Sequence, residues 1–300
     1  MRFKGLDLNL LVALDILLTE RNVSRAADKL CLSQSATSGA LARLRDYFGD
    51  EILVQVGRKM VLTPRAMALA DKVRAALMQI EGTIIQSPEF DPATTARTIR
   101  IIASDFITIS VLSEAVRRIA AQAPDITLVI EPPAVKPHER LERGEVDILA
   151  MPEMNLSPDH PSRPFFTDGY VVVAWQGNTS VGDAITEDEF FAARHATVMF
   201  PTHTPSYESW FLKNRGSDRR IAAVAGSFAA LPFLVEGTEN LALMHRSMAQ
   251  VFARMMPLKL LPLPVVIPEL VEALQWHSYS KGDECIAWVC DQIVAAASAD

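Results

Sequence analysis

Leu10, Leu11, Leu14, Leu17 and Leu18 recur three and four residues apart after Asp7-Leu8-Asn9, which predicts a helix with one face to bury. Ser24 can cap a second helix running through Arg25-Ala26-Ala27-Asp28-Lys29-Leu30. Cys31-Leu32 then makes a tight break, and Ser33 can cap a third helix that ends at Phe48, before Gly49 and Asp50. In that third helix Thr37, Ala40, Leu41, Leu44 and Phe48 form an inward stripe. The opposite side holds Ser35, Ser38, Gly39 and Ala42, flanked by Gln34, Arg43 and Arg45. Ile52 to Val56, Gly57-Arg58-Lys59 and Met60 to Leu62 read as a hairpin with a basic tip. Thr63-Pro64 pairs a capping side chain with proline at a first helical position, so a long helix runs from Pro64 to about Gln86. Its apolar positions, Met67, Leu69, Ala70, Val73, Leu77, Ile80 and Ile84, exceed what so small a head needs. A helix–helix contact in a dimer accounts for the excess.

Beyond Ser87-Pro88-Glu89-Phe90-Asp91-Pro92, a proline-punctuated hinge, the pattern changes. Strands at Thr98 to Ala103, Ile126 to Ile130 and Val146 to Ala150 alternate with helices at Phe106 to Gln122 and near Leu141. Tyr170 to Trp175, Thr197 to Phe200, Ile221 to Val224 and Leu241 to Met244 begin a second set. Proline-rich passages at Pro161 to Pro164 and Pro262 to Pro268 separate the sets, and Leu270 to His277 returns to the first. Alternation of this kind predicts two α/β lobes with parallel sheet, joined by two crossovers.

Composition sharpens this division. The chain has 300 residues, 49% of them apolar, and a net charge of −7, enough for two or three domains. The charge is uneven: residues 1–87 carry +3 and the remainder −10, a distribution suited to an anionic partner for the head alone. Cys31, Cys285 and Cys290 match neither a disulfide framework nor a metal pair, and read as small core residues in a reducing cytoplasm. Met1 to Glu20 is interrupted by Asp7 and Asp15 and lacks a cleavage site, so export is not expected. No membrane span is expected either, since the longest uncharged run, Ile221 to Val235, falls short of the roughly 18–20 residues required.

Two helices joined by so short a turn form a helix-turn-helix candidate. A third helix trimmed of bulk can enter a major groove, where Gln34 can read adenine through two hydrogen bonds and Ser35 and Ser38 read or position. Arg43 and Arg45 would meet phosphate, and a wing would hold Arg58 and Lys59 over the backbone. Ser24, Ser33, Gln34, Ser35, Ser38, Arg43, Arg58 and Lys59 make up the candidate DNA-binding set. The alternative is a small-residue helix packed closely on a neighbouring helix.

Asp7-Leu8-Asn9-Leu10-Leu11, Ser24 to Leu30, Leu32-Ser33-Gln34-Ser35-Ala36-Thr37-Ser38, Arg43-Leu44-Arg45 and Leu62-Thr63-Pro64-Arg65-Ala66 together resemble the LysR-type transcriptional regulators. Arg45, where many members carry Glu, is similar to the subgroup of nodulation activators and aromatic-degradation regulators. Ser35, where the family usually has Pro, and Gly39 depart from the pattern. The resemblance implies an N-terminal winged helix-turn-helix over 1–63, a linker and dimerisation helix over 64–87, and an effector domain over 96–300. That domain would be periplasmic-binding-protein-like α/β, lobe one being 96–163 with 268–300 and lobe two 164–267. It also implies dimers paired into tetramers on double-stranded promoter DNA, and a small aromatic or phenolic effector whose binding changes lobe closure and DNA bending. No cofactor is expected.

In paired α/β lobes ligands lie beyond the carboxyl ends of strands. That rule selects Ser104, Asp105, Phe106, Met151, His203, Thr204, Ser227 and Phe228. Phe106, Phe200 and Phe228 could hold a flat ring, and Ser104 and His203 its hydroxyls; equally, these could be capping and core residues. Arg246 is the one evident anion clamp. His138, His160, His195 and His245 show no metal-ligand spacing, so no metal is expected, and His277 after Trp276 reads as structural. Asp283 can cap a final helix that buries Ile286, Cys290 and Ile293. A cytoplasmic α/β enzyme is the first rival, but GxSxG, Walker A and GxGxxG are absent. A small-molecule receptor fits the lobes but leaves the first 65 residues unexplained.

Overall fold

The leucines of the first segment form α1, Asn9–Glu20, and bury Leu10, Leu14, Leu17 and Leu18. The computed structural model describes residues 2–3, 6–7, 9–57, 59–83, 90–133, 135–200, 205–216 and 218–298. Two units divide the chain, residues 1–88 with 142–144 and residues 89–141 with 145–300. A short antiparallel pair, β1 (Arg2–Phe3) and β2 (Leu6–Asp7), precedes α1.

The second helix, α2 (Val23–Leu30), begins one residue before the expected cap. Asn22, in extended conformation, accepts from the Arg25 amide at 3.0 Å, while Ser24 lies inside the first turn, exposed. Ser24 is therefore not the cap: either residue type could serve, and Val23 joins the helix ahead of it. Cys31, left-handed at φ 53°, ends α2 and is exposed rather than core. Ser33 caps α3 (Gln34–Phe48) as expected, its Oγ accepting from the Ala36 amide at 3.1 Å, and Gly49 at φ 58° closes it.

The hairpin forms as β3 (Leu53–Val56) and β4 (Lys59–Leu62), with Val56 opposite Lys59 and left-handed Gly57 in the turn. Thr63 caps α4 (Pro64–Thr83), accepting from the Ala66 amide at 3.0 Å and donating to Asp50 Oδ1 at 2.6 Å. The head itself absorbs much of the α4 apolar face: Ala66 and Val73 are buried in its core, and Leu69, Ala70 and Leu77 pack against it. Arg74 reaches Asp15 of α1 at 3.1 Å, tying α4 across the core. Met67 stays exposed, and Ile84 lies outside the described residues.

The second unit contains two five-stranded sheets. The first, ordered β6-β5-β7-β14-β8, comprises β5 (Arg97–Ala103), β6 (Ile126–Glu131), β7 (Ile148–Pro152), β8 (Ser162–Asp168) and β14 (Leu270–Trp276). The second, ordered β11-β10-β12-β9-β13, comprises β9 (Tyr170–Trp175), β10 (Arg194–Val198), β11 (Arg220–Ala225), β12 (Leu241–His245) and β13 (Leu258–Leu261). Neither is wholly parallel. β14 runs antiparallel to β7 and β8, and β9 antiparallel to β12 and β13, because the two crossovers return each chain end in reverse. β8 and β13 were hidden by their proline-rich surroundings. Since β8 pairs with β14, the first crossover lies after Asp168 rather than at 163/164.

Helices cover both faces, and one continuous core joins Ile99, Ile101 and Phe106 of the first lobe to Val171, Phe228 and Met244 of the second. Asp283 caps the last helix, Glu284–Ala297, accepting from the Ile286 amide at 3.0 Å, and Arg97 grips the same carboxylate at 2.7 and 2.9 Å. Among the described residues no helix is long and apolar enough to cross a membrane.

Candidate DNA-reading face and effector cleft

Thr37, Ala40, Leu41 and Leu44 turn α3 inward, which leaves Gln34, Ser35, Ser38, Gly39, Ala42 and Arg43 exposed along the opposite face. A methyl group built on Gly39 would meet nothing within 4 Å. The small-residue stripe is therefore uncovered within the head, contrary to close packing on a neighbouring helix. Ser33 and Ser35 link through their hydroxyls at 2.9 Å, which fixes the first turn beside Gln34. The exposed amides there carry the positive end of the helix dipole.

Arg45 does not join this face. Its guanidinium donates to the carbonyls of Glu51 (2.8 Å) and Leu53 (2.9 Å), holding the start of β3 against α3. Arg43 is exposed, as is Lys59 at the tip of β4. Arg58 lies outside the described residues.

In the second unit a cavity of about 740 Å³ opens between the lobes. Ser104, Phe106, Met151 and Phe228, which the strand-end rule selected, line it together with Phe200. Phe106 stacks on His245 with ring centroids 3.6 Å apart and planes at 8°, and Phe228 meets the same imidazole edge-on at 5.1 Å. Ser104 also caps the helical run that follows β5, accepting from the Ile107 amide at 3.2 Å.

Asp105 and Ser227 are not part of the wall. Asp105 instead bridges the lobes: its Oδ2 accepts from the Ala229 amide at 2.7 Å, and burial raises its pKa against the opposing pull of backbone amides. Ser227 precedes the short turn Phe228–Ala230 without making a side-chain cap. A second bridge joins Ser110, in the π turn Thr108–Leu112, to Ser247 at 2.9 Å, and Ser247 also donates to Asp168 at 2.7 Å. Two polar links thus span the cleft close to the crossover. His203 and Thr204 lie outside the described residues.

Several wall residues escaped the sequence reading. His245 ends β12, one residue past the expected strand, so the same rule would have found it. Glu272 is a lone carboxyl within Leu270–Trp276, an otherwise apolar strand but for Gln275, and this was the available signal. Tyr207 and Trp210, stacked at 6.1 Å, lie on the helix Tyr207–Asn214 across the cleft. Arg246 is exposed and absent from the wall.

The histidines are less scattered than their spacing suggested. His160 and His277 pack ring to ring at 4.6 Å, with both Nδ1 atoms accepting backbone amides, from Ser278 (3.3 Å) and Tyr279 (3.0 Å). His195 is a core residue whose Nε2 donates to the Phe190 carbonyl at 2.7 Å, and burial depresses its pKa to about 4.

Both units match families of known proteins. The family described as bacterial regulatory helix-turn-helix protein, lysR family, matches residues 8–67, and the LysR substrate binding domain matches residues 92–298. A curated relative, Nodulation protein D 1 of Mesorhizobium japonicum, is 42% identical over 99% of this chain and 95% of its own. A "probable transcriptional regulator" from Pseudomonas aeruginosa, of known structure, is 31% identical with a TM-score of 0.68, covering 98% of each chain. Full-length CbnR, solved with its target DNA, shares the fold at a TM-score of 0.54 and 15% identity, over 98% of this chain and 100% of that one.

Proposed function

Because the chain belongs to the LysR family of bacterial helix-turn-helix regulators, we propose that it binds double-stranded promoter DNA in the cytoplasm as a homodimer, two of which pair into a tetramer. It answers to a small aromatic or phenolic effector held between the two α/β lobes. Gln34 reads base edges with Ser38, Ser35 tunes the first turn, Ser33 fixes the helix end, and Arg43, Lys59 and Arg58 meet the sugar-phosphate backbone. Ser24, exposed in the first turn of α2, is a further backbone contact. Residues 1–63 form the head, 64–87 the linker helix, and 96–300 the effector domain.

The observation that carries the effector reading is the wall itself: Phe106, Phe200, Phe228, Tyr207 and Trp210 surround a cavity of about 740 Å³. That volume lies within the roughly 300–1,000 Å³ of small-molecule sites, and aromatic walls suit a flat ring. His203 and Thr204 are assigned to its rim, Asp105 and Ser227 to the hinge beside it. Effector occupancy alters the two polar links across the cleft and with them lobe closure, which the DNA reads as a change in bending.

A randomised-site binding assay tests the head. Gln34→Ala should cost about 1–3 kcal/mol of discrimination at one base pair while leaving the others unchanged. An unaltered preference at every position would remove Gln34 as a reader.

A further inference from the structure

The run from Asp105 to Leu112 repeats itself at an interval of five: Asp105-Phe106-Ile107 and Ser110-Val111-Leu112 each read polar, apolar, apolar. Phe106, Ile107, Val111 and Leu112 are all buried, 1% exposed or less. At about 100° per residue a regular α-helix would turn the second triplet about 140° away from the first. One apolar pair would then face water. The chain avoids this by widening one turn: Thr108–Leu112 is a π turn, in which the Ser113 amide donates to the Thr108 carbonyl five residues back. Regular helix resumes at Ser113–Gln122, where Ala115 and Ile119 continue the buried face. The widened turn follows from the apolar spacing, and it brings the two polar members, Asp105 and Ser110, to the same side.

Both polar members hold the second lobe. Asp105 accepts from the Ala229 amide at 2.7 Å, and the Ser110 hydroxyl meets that of Ser247, in the first turn of the helix Arg246–Ala253, at 2.9 Å. The Ser247 amide and hydroxyl both donate to Asp168, at 3.0 and 2.7 Å, where β8 ends at the crossover. Each link therefore rests on a carboxylate, the stronger kind of hydrogen bond. A plain α-helix over this run would carry only one of the two links to lobe two.

We propose that the π turn makes these two links a single latch that sets how readily the lobes part, and that Ser110, which is not part of the cavity wall, is a positioning residue for the response. This rests on reading lobe closure as the response to effector. Both links leave one tightly packed turn, so lobe two cannot release one without straining the other. Ser104 and Phe106, at the head of the same run, line the cavity. The latch thus joins the cleft wall to the helix Arg246–Ala253 across the hinge.

The test is hydrogen exchange at the Ala229 amide, read by NMR on the full-length, isotope-labelled protein with no added ligand. The acceptor of that amide is Asp105, five residues before Ser110. Ser110→Ala should nevertheless speed its exchange by about tenfold, the effect of one lost hydrogen bond on a shared opening. Ser110→Thr, which keeps the hydroxyl, should exchange as the native protein does. So should Ser113→Ala, which removes a hydroxyl bonded within its own helix, to the Ile109 carbonyl at 3.0 Å. Urea unfolding followed by tryptophan fluorescence reports that each variant folds. Unchanged exchange in Ser110→Ala, or equal acceleration by Ser113→Ala, overturns the latch and leaves the cleft reading intact. In a reporter driven by a promoter that the native protein occupies, Ser110→Ala should change ligand-free expression by about fivefold with occupancy unaltered. Faster exchange with unmoved expression overturns the role of the latch in the response. If the native protein occupies no promoter, the regulator reading fails and that role falls with it.

Discussion

Replacing Glu272 with Gln should change the pH dependence of stability in a direction fixed by its burial. A carboxyl whose native pKa is raised contributes stability that is fully present below its unfolded value, here 4.5, and lost as pH climbs through the native value of about 8. At pH 7 the unfolded chain ionises this group while the folded chain must keep it protonated, across about 2.5 pH units above 4.5. With each unit worth 1.36 kcal/mol, folding bears a cost of about 3 kcal/mol at pH 7 and under about 1 kcal/mol at pH 5. Gln at this position does not ionise. Relative to Glu272→Gln, the native chain should therefore lose about 2–3 kcal/mol between pH 5 and pH 7.

The assay is urea unfolding followed by tryptophan fluorescence. All four tryptophans, Trp175, Trp210, Trp276 and Trp288, lie in the second unit, so the signal is blind to the head. His195 and His245, depressed to about 4 and about 3, work in the opposite sense and destabilise the fold as pH falls below 6.5. Both proteins share them, and subtraction of the two curves removes them. Parallel curves from pH 5 to pH 8 would refute the reasoning, since they would mean that Glu272 is ionised in the fold.

Two further perturbations address the DNA-reading head and the hinge. Lys59→Ala should weaken binding to all DNA sequences alike and reduce the slope of log affinity against log salt by about 0.9, the release of one counterion. An unaltered slope would mean that the tip of β4 does not touch phosphate. Asp105→Asn should weaken the acceptor for the Ala229 amide, whose bond of 2.7 Å spans the lobes, and should shift the effector concentration for half-response with promoter affinity unchanged. An identical dose–response curve in a reporter assay would remove this link from the closure mechanism.

The head was legible because its signals are local. Ser33 and Thr63 accept from amides three residues on, and Gly49 donates its N–H to the Arg45 carbonyl four residues back, so the caps of α3 and α4 follow from sequence alone. Where partners lie further along, the reading slipped. Arg45 has the chemistry of a phosphate contact, but its partners are carbonyls six and eight residues ahead, placed by the turn into β3. The cleft depends almost wholly on such distant partners. Ser104 and Phe106 could be found because they follow a strand, whereas Glu272 enters the wall only because β14 pairs with β7, more than a hundred residues earlier. What separates Glu272 from the other acidic strand residues of its sheet, Glu131 and Asp168, is the absence, among the described residues, of a partner for its buried oxygen: Glu131 ends β6 and meets Arg140 at 2.7 Å, and Asp168 ends β8 and accepts from the Ser247 hydroxyl at 2.7 Å. Lone acidic residues in apolar strands therefore divide by their partners. Glu131, with an arginine in reach, folds as a carboxylate, whereas Glu272, with none, is pushed by burial towards the neutral acid.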